Sequence, residues 1–481
     1  MKPLDGKTIS ILGLGASGVA AARLALAKGG RVYVSDRHAE PSIAARGADL
    51  RSLGARVELG GHDLERLARS DTLVVSPGIP PNAPVLQALR ARGRRWVSEP
   101  EFAFRFLAGP LIAVTGTNGK TTTAALTAHL LRHGGLQVGL GGNIGAAFGP
   151  PASGLALMEP VPDWFVVEVS SFQLADIVDF SPTIGVVTNL APDHLDRYES
   201  VEAYYSDKAR LFDNATPSSR WVLNGDDTAV EELAGDASGT RFRFSAAGDL
   251  EADAVLQGAA LMLRGGLDDT AGQGDSPTAG HSRTGEPAHG SAARWTRLLL
   301  RDDLPLLGRH NAANALSAAL TAALAGAPVA GLPEGMLSFP PLPHRLEPVG
   351  TAYGLHWVND SKATNVSATV SALESLEGPL VLLMGGKDKG EDLRSLKVAM
   401  HPGVRGVVLY GEARARMHAA LAGTPNLRSV DGSFEEAVTA AREMAEPGDL
   451  VLLSPACSSF DMFENYEARG RRFTVLARGG S

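Results

Sequence analysis

A chain of 481 residues with 44% hydrophobic content is longer than a single core usually grows, so two or three domains are expected. Its formal charge of −8, from 45 Lys+Arg against 53 Asp+Glu and with no long basic run, leaves no footprint for a nucleic-acid backbone or an anionic membrane. The only cysteine, Cys457, cannot close an intramolecular disulfide, and a reducing, cytoplasmic setting is the expectation.

Residues 8–12 lead into Gly13-x-Gly15-x-x-Gly18, which reads as a first strand and a glycine-rich turn, not as a secretory signal. Asp36 ends the next apolar run, and the spacing matches a dinucleotide fingerprint. The same geometry serves any diphosphate, so NAD and a UDP-type ligand both stay open on these residues. Further short β-branched runs at 72–76, 111–115, 164–168, 184–188, 380–384, 404–410 and 450–454 alternate with alanine-rich stretches. That alternation predicts an α/β fold of parallel sheets with crossover helices. Three domains are expected. They are a Rossmann-like N-terminal domain at 1–98, a central P-loop ATPase-type domain with a mostly parallel sheet at 99–341, and a Rossmann-like C-terminal domain at 342–481 that follows the proline-rich segment 339–344.

Two segments stand apart. Residues 315–332 are alanine-rich and interrupted by Ser317, Thr321 and Pro328, so they read as a buried helix and not as a membrane span. Residues 267–293 have almost no bulky apolar side chain and read as a disordered surface insertion, with His281 and His289 lacking any ligand spacing.

Gly116-Thr117-Asn118-Gly119-Lys120-Thr121-Thr122 follows an apolar run and opens a helical stretch, the context a phosphate loop requires. Its glycines free backbone N–H groups for phosphate oxygens, Lys120 can reach the β/γ-phosphates, and the Thr121 hydroxyl can ligate Mg²⁺. The string departs from the general consensus in carrying Val114 where a glycine is usual. An ATP site in a second domain is hard to explain in a dehydrogenase, which favours UDP over NAD at the first turn. Glu168 ends the run at 164–168, where a carboxylate can serve a metal. Asp193, His194 and Asp196 cluster after the run at 184–188 and can complete a divalent-metal site.

These motifs resemble the Mur ligase family, which builds the peptide of the cell-wall precursor. The resemblance covers the chain apart from the insertion. It rests on the shortened phosphate loop, Gly142-Asn143-Ile144-Gly145, Glu168-Val169-Ser170-Ser171-Phe172-Gln173, the Asp193–Asp196 string, and Gly308-Arg309-His310-Asn311-Ala312-Ala313-Asn314. In the last third, Pro343-His344-Arg345, Asp360-Ser361-Lys362-Ala363-Thr364-Asn365, Gly385-Gly386-Lys387-Asp388-Lys389-Gly390 and Ser454-Pro455-Ala456-Cys457-Ser458-Ser459 look like the branch that adds D-glutamate. The Asp-Asn-Pro-Arg signature of the diaminopimelate- or lysine-adding branch is absent.

The resemblance implies an ATP-dependent amide ligase that joins D-glutamate to UDP-N-acetylmuramoyl-L-alanine through an acyl phosphate, releasing ADP and phosphate, with Mg²⁺ at two sites. Carried over residue by residue, Lys120, His194 and Lys208 would be catalytic. Gly116, Thr117, Asn118, Gly119, Lys120, Thr121, Thr122, Asn311, Asn314, Arg345 and Asp360 would hold ATP. Gly15, Ala16, Ser17, Asp36, Arg37, Asn143 and Ser170 would hold the UDP-linked substrate. Thr364, Lys389, Ser459 and Tyr466 would read the glutamate, with Tyr466 standing where the family often has Phe. Thr121, Glu168, His194 and Lys208, the last as a carbamate, would hold metal. The family also implies a monomer that binds no nucleic acid and inserts in no membrane. The residues alone leave the handedness of the glutamate open.

Two other readings compete. A nicotinamide oxidoreductase would use the Gly13–Gly18 turn but has no use for the ATP loop. A nucleotide-dependent switch would bind ATP or GTP without amino-acid-dependent phosphate release, and the chain has no Asn-Lys-x-Asp guanine signature.

Overall fold

Apolar runs bounded by glycine or polar residues form strands whose ends fall within one residue of the expected positions. The computed structural model describes residues 2–194, 197–266, 295–376 and 378–480. The expected insertion at 267–293, and Leu195 and Asp196, lie outside the described residues.

The strands make three sheets. The first has five parallel strands ordered Arg56–Leu59, Arg31–Asp36, Thr8–Leu12, Thr72–Val75 and Val97–Ser98. The order reverses at Thr8–Leu12, so the crevice beyond Leu12 is where such a sheet holds a ligand. The second has nine strands ordered Trp295–Leu300, Ala260–Arg264, Ala254–Gln257, Thr240–Ser245, Arg220–Asn224, Ile184–Val187, Leu111–Thr115, Trp164–Glu168 and Val138–Gly142. From Ala254–Gln257 onward its neighbours are parallel, and Ala254–Gln257 forms an antiparallel hairpin with Ala260–Arg264. The third has six strands ordered Glu347–Ala352, Leu355–Asn359, Leu450–Leu453, Leu380–Gly385, Val404–Tyr410 and Leu427–Ser429, parallel except for the first pair. Leu111–Thr115 and Leu380–Gly385 are buried along their whole length, as expected for strands covered on both faces.

By contacts the chain divides into two compact units. One comprises Met1–Leu190, Glu202–Leu299 and Asn314–Gly335; the other comprises Ala191–Val201, Leu300–Ala313 and Met336–Ser481. The first unit contains both the five-stranded sheet and most of the nine-stranded one, because a single hydrophobic cluster runs from Ile9 and Val34 through Phe102 to Val167 and Phe180. Two buried glutamates at the expected boundary reinforce that union. Glu101 Oε2 accepts the N–H groups of Val178, Asp179 and Phe180 at 3.0, 3.0 and 2.8 Å, and Glu99 Oε1 accepts that of Ser153 at 2.5 Å. The second unit holds the six-stranded sheet, with separate clusters on its two faces.

The alanine-rich stretch forms the helix Arg309–Leu324, which ends eight residues short of the expected Leu332, since Gly326 takes φ +93° and a 3₁₀ turn follows at Val329–Gly331. No helix among the described residues is long and apolar enough to cross a membrane.

Candidate active site

The phosphate loop leaves the strand Leu111–Thr115 and opens the helix Lys120–His133. Gly119, the residue before the helix, takes φ +79°, and a Cβ there would lie 2.2 Å from Asn314 Oδ1. Gly116 takes φ +137°, and its Cβ would lie 2.0 Å from Thr188 Oγ1. Both positions therefore require glycine for conformation and for space. The loop is pinned from the neighbouring strand end. Asn189 Oδ1 accepts the Asn118 N–H at 2.9 Å, and Thr188 Oγ1 donates to the Asn118 carbonyl at 2.6 Å. Lys120 Nζ donates to the carbonyls of Gly116 and Thr117 at 3.0 and 2.7 Å, which holds its ammonium against the loop. Thr122 is buried within the helix, and Asn314 receives a hydrogen bond from Thr123 Oγ1 at 3.4 Å.

The next strand over brings Glu168 to this loop. Thr121 Oγ1 donates to Glu168 Oε2 at 2.7 Å, and Asn143 Nδ2 donates to Glu168 Oε1 at 3.3 Å. Lys208, on the helix Val201–Ala209, is 1% exposed; its Nζ donates to the Gly116 carbonyl at 2.7 Å and lies 4.6 Å from the centre of the Tyr204 ring. Tyr204 in turn places its hydroxyl 3.3 Å from Thr117 Oγ1. Sequence reasoning missed Tyr204, although its place one helical turn before Lys208 was a usable signal. Thr121 and Glu168 offer the hard oxygen donors that Mg²⁺ takes, and a Mg²⁺ ion commonly needs only one or two protein groups when substrate phosphates complete its shell. Among the described residues no three His, Cys, Asp or Glu side chains form a metal cage on their own. As an ammonium, Lys208 has only donors and no lone pair to offer a cation.

At the five-stranded sheet, the helix Ala16–Ala27 starts directly after the glycine-rich turn. A Cβ on Gly18 would lie 1.9 Å from the Gly13 carbonyl oxygen, whereas one on Gly15 would meet nothing within 4 Å. Gly18 thus serves close packing, and Gly15 and Ala16 are exposed at the mouth of the turn beside half-buried Ser17. Asp36 is engaged locally: Oδ2 accepts the Leu14 N–H at 2.7 Å and Oδ1 the His38 N–H at 2.9 Å. Arg37 is exposed and donates to His38 at 2.9 Å. Ser170 caps the short helix Ser171–Leu174 in a reciprocal box with Gln173.

In the second unit, Lys389 Nζ and Asn365 Nδ2 both meet Asp193, at 3.8 Å to Oδ1 and 2.8 Å to Oδ2. Burial alone would raise the Asp193 carboxyl, but Lys389, His194 and the Asn365 amide together hold it below the usual carboxylate range. His194 takes φ +57° and places Nε2 3.7 Å from Asp193 Oδ2. Asp360 is buried and accepts from Ser454 Oγ at 2.8 Å and from the Leu346 N–H at 3.2 Å; burial pushes its carboxyl up to about 7 against those bonds and the charges of Arg345 and Arg469. Asn311 Nδ2 donates to the Leu307 carbonyl at 2.7 Å.

The remaining expected glutamate readers are Tyr466, Thr364 and Ser459. Tyr466 stacks under Lys362, whose Nζ is 3.9 Å from the ring centre, and its carbonyl accepts from Ser361 Oγ at 2.9 Å. Thr364 is half-buried two residues beyond Lys362. Ser459 is buried, its carbonyl accepting the N–H groups of Met462 and Phe463 at 3.2 and 2.8 Å. Cys457 is buried in the core, and burial first, then Asp388, pushes its thiol up to about 12, which suits packing and not nucleophilic attack.

A phosphate loop on a parallel sheet, with a carboxylate bonded to the loop's threonine, defines a nucleoside-triphosphate-dependent enzyme. Comparison with known proteins narrows the class. Residues 7–98 match the Mur ligase MurD-like N-terminal domain, 114–322 the Mur ligase middle domain, and 344–457 the Mur ligase glutamate ligase domain. The chain is 38% identical over 470 residues to a UDP-N-acetylmuramoylalanine–D-glutamate ligase of Desulfatibacillum aliphaticivorans, covering 98% of each chain. It is 40% identical over 477 residues to the enzyme of that name from Myxococcus xanthus, again covering 98% of each. Its fold is similar to that of a UDP-N-acetylmuramate–alanine ligase from Thermotoga maritima, with TM-score 0.58 at 18% identity over 97% of this chain and 98% of that one. The chain belongs to the Mur ligase family and is an ATP-dependent ligase.

Proposed function

We propose that this ligase adds D-glutamate to UDP-N-acetylmuramoyl-L-alanine, forming the amide at the expense of ATP in peptidoglycan precursor synthesis. The observation that carries the reading is the Thr121–Glu168 hydrogen bond at the head of a phosphate loop, in a chain whose near-full-length relatives are named for this reaction.

The chemistry follows from the substrates. A carboxylate does not acylate an amine at neutral pH because oxide is a poor leaving group, so ATP must first convert it to an acyl phosphate. Lys120 is the point charge that spreads the developing charge of the transferring phosphoryl group, aided by the N–H groups of Gly116 to Thr122 and the helix N-terminus. The glutamate amine then attacks and phosphate departs, with no side-chain nucleophile required. Bound Mg²⁺, in two sites, would supply charge neutralisation on the phosphates, and Thr121, Glu168, His194 and a carbamate on Lys208 would hold it. Asn311, Asn314, Arg345 and Asp360 would bind the rest of ATP. Gly15, Ala16, Ser17, Asp36, Arg37, Asn143 and Ser170 would bind the UDP-linked substrate, and Thr364, Lys389, Ser459 and Tyr466 the glutamate. In this reading residues 1–98, 99–341 and 342–481 serve UDP, ATP and amino acid in turn, in a cytoplasmic monomer.

The test is phosphate release with UDP-N-acetylmuramoyl-L-alanine against a panel of amino acids of both hands. D-Glutamate alone should drive turnover, and Lys120→Ala should reduce it by several orders of magnitude. Release driven equally by L-glutamate or by another amino acid would overturn the assignment.

A further inference from the structure

The helix Tyr466–Ala477 carries three arginines with different fates. Arg472 pairs with Glu435 at 2.6 Å, and Arg471 beside it in sequence is exposed. Arg469 is 0% exposed, and among the described residues it has no carboxylate within ion-pair distance. Its guanidinium is spent instead on neutral acceptors. Nε donates to Ser361 Oγ at 3.0 Å, Nη2 to the Ser361 and Cys457 carbonyls at 2.8 and 3.2 Å, and Nη1 to the carbonyls of Gly385, Cys457 and Ser458 at 3.4, 3.2 and 3.4 Å.

Burying a cation without an ion-pair partner costs free energy that an apolar side chain of similar volume would avoid, so filling space does not explain an arginine here. Its placement does. Ser361, Gly385 and Cys457–Ser458 follow or end the strands Leu355–Asn359, Leu380–Gly385 and Leu450–Leu453, which are neighbours in the sheet. The guanidinium therefore ties together three loops at the carboxyl edge of a parallel sheet, the edge at which such sheets hold ligands. The packing is tight: Gly386 takes φ +130°, and a Cβ there would lie 2.2 Å from the Ser458 carbonyl oxygen and 3.1 Å from Arg469 Nη1. Because a peptide unit is planar, fixing a carbonyl also fixes the direction of the N–H on its far side, and so the attachment of the residue that follows.

We propose that Arg469 is a positioning residue for the glutamate subsite. It holds the loops that bear Ser459 and lead to Lys389 in the geometry that receives the amino acid's carboxylates, and it acts through them without touching the ligand. The proposal rests on the reading that Lys389 and Ser459 bind glutamate.

The experiment is steady-state kinetics on Arg469→Lys, Arg469→Met, Ser361→Ala and Lys389→Ala, with melting temperatures alongside. A lysine keeps the charge but cannot span the acceptors of three loops. Arg469→Lys and Arg469→Met should each raise the glutamate KM by about ten-fold or more while the ATP KM moves by less than about two-fold. Ser361→Ala, which removes the acceptor of Nε together with the hydroxyl's bond to the Tyr466 carbonyl and leaves the Ser361 carbonyl that Nη2 bonds, should shift the glutamate KM the same way by roughly three-fold and keeps the test available if the arginine variants fail to fold. If Lys389→Ala raises the glutamate KM but the Arg469 and Ser361 variants do not, or if they raise both KM values alike, Arg469 is structural only and the proposal is wrong. If Lys389→Ala leaves the glutamate KM unchanged, the reading of the subsite fails, and the role of Arg469 falls with it.

Discussion

Lys389 Nζ lies 3.8 Å from Asp193 Oδ1 while Asn365 Nδ2 holds the other oxygen of the same carboxylate at 2.8 Å. The lysine is thus paired with a buried anion from an element distant in sequence, itself held by the Asn365 amide, and its side chain is 17% exposed. A lysine held in this way suits recognition of a carboxylate, since its orientation is set before the ligand arrives. Lys389→Ala should raise the glutamate KM by at least about ten-fold and the ATP KM far less. It should also lower the melting temperature, because it strands the Asp193 charge in a buried site. Equal rises in both KM values would move Lys389 to the nucleotide site.

The phosphate loop makes a second prediction, on stability and binding together. Gly119→Ala forces a left-handed backbone on a residue with a Cβ, costing about 1–2 kcal/mol, and drives that Cβ toward Asn314 Oδ1. Urea denaturation should show at least that loss, and titration with a fluorescent ATP analogue should show weakened binding. Adding Asn314→Gly relieves the clash but not the backbone strain, so stability should return only in part. A Gly119→Ala protein as stable as the parent would mean the loop does not keep its positive φ in solution.

Glu99 gives a pH dependence with a definite sign. Burial pushes its carboxyl up to about 7, with the Ser153 hydroxyl and N–H opposing. A raised acid binds its proton more tightly in the folded state. The stability it confers is therefore full below its unfolded value near 4.5 and is lost as pH rises through about 7. Glu99→Gln keeps an oxygen for the Ser153 N–H and cannot ionise. Relative to the parent, the variant should gain stability between pH 5 and pH 8, by roughly the order of a few kcal/mol. A constant difference across that range would show that Glu99 does not titrate there.

The phosphate loop was more legible in the sequence than the residues that support it. Gly116, Gly119 and Lys120 announce themselves because a phosphate loop must spend glycines where the backbone turns and a lysine where the charge lies, and the segment does run from a strand end to a helix start with both glycines at positive φ. The strands at 111–115 and 164–168 are continuous apolar runs and were bounded correctly for the same reason. Val138–Gly142 was not visible, since a strand that ends in Gly141 and Gly142 carries almost no β propensity of its own and forms by pairing with Trp164–Glu168. Glu347–Ala352 was hidden by Pro348 and Gly350, which an antiparallel edge strand tolerates at its irregularity. Arg469 could not be told from Arg471 or Arg472, because no periodic signal in a helix rich in arginine says which one turns inward. The first two sheets share one core for a reason equally remote from local pattern: Glu99 and Glu101 look like solvated carboxylates until the backbone N–H groups that need them are in view.

Lys208 carries the last prediction. A lysine on a helix with Glu202 and Asp207 nearby in sequence could have been a solvated surface residue, but its side chain is buried, donates to the Gly116 carbonyl of the phosphate loop, and lies over Tyr204. An ammonium so close to a phosphate-binding loop would repel the divalent cation that accompanies a triphosphate, by an interaction that weakens only slowly in a water-poor site. Inverting the charge removes the conflict. The neutral amine adds to CO₂, forming an N–C bond and losing one proton to solvent, and the resulting carbamate presents two oxygens in place of three donors. Lys208→Ala should therefore lose most of the turnover, and formate or acetate should restore part of it by occupying the vacated volume as an anion. Enzyme prepared and assayed without CO₂ should be slow and should recover on adding bicarbonate, and ¹³C-labelled bicarbonate should give a carbamate resonance absent from Lys208→Ala. Full activity in the alanine variant, or in the parent enzyme kept free of CO₂, would rule out a working carbamate and leave Lys208 as a buried anchor for the loop.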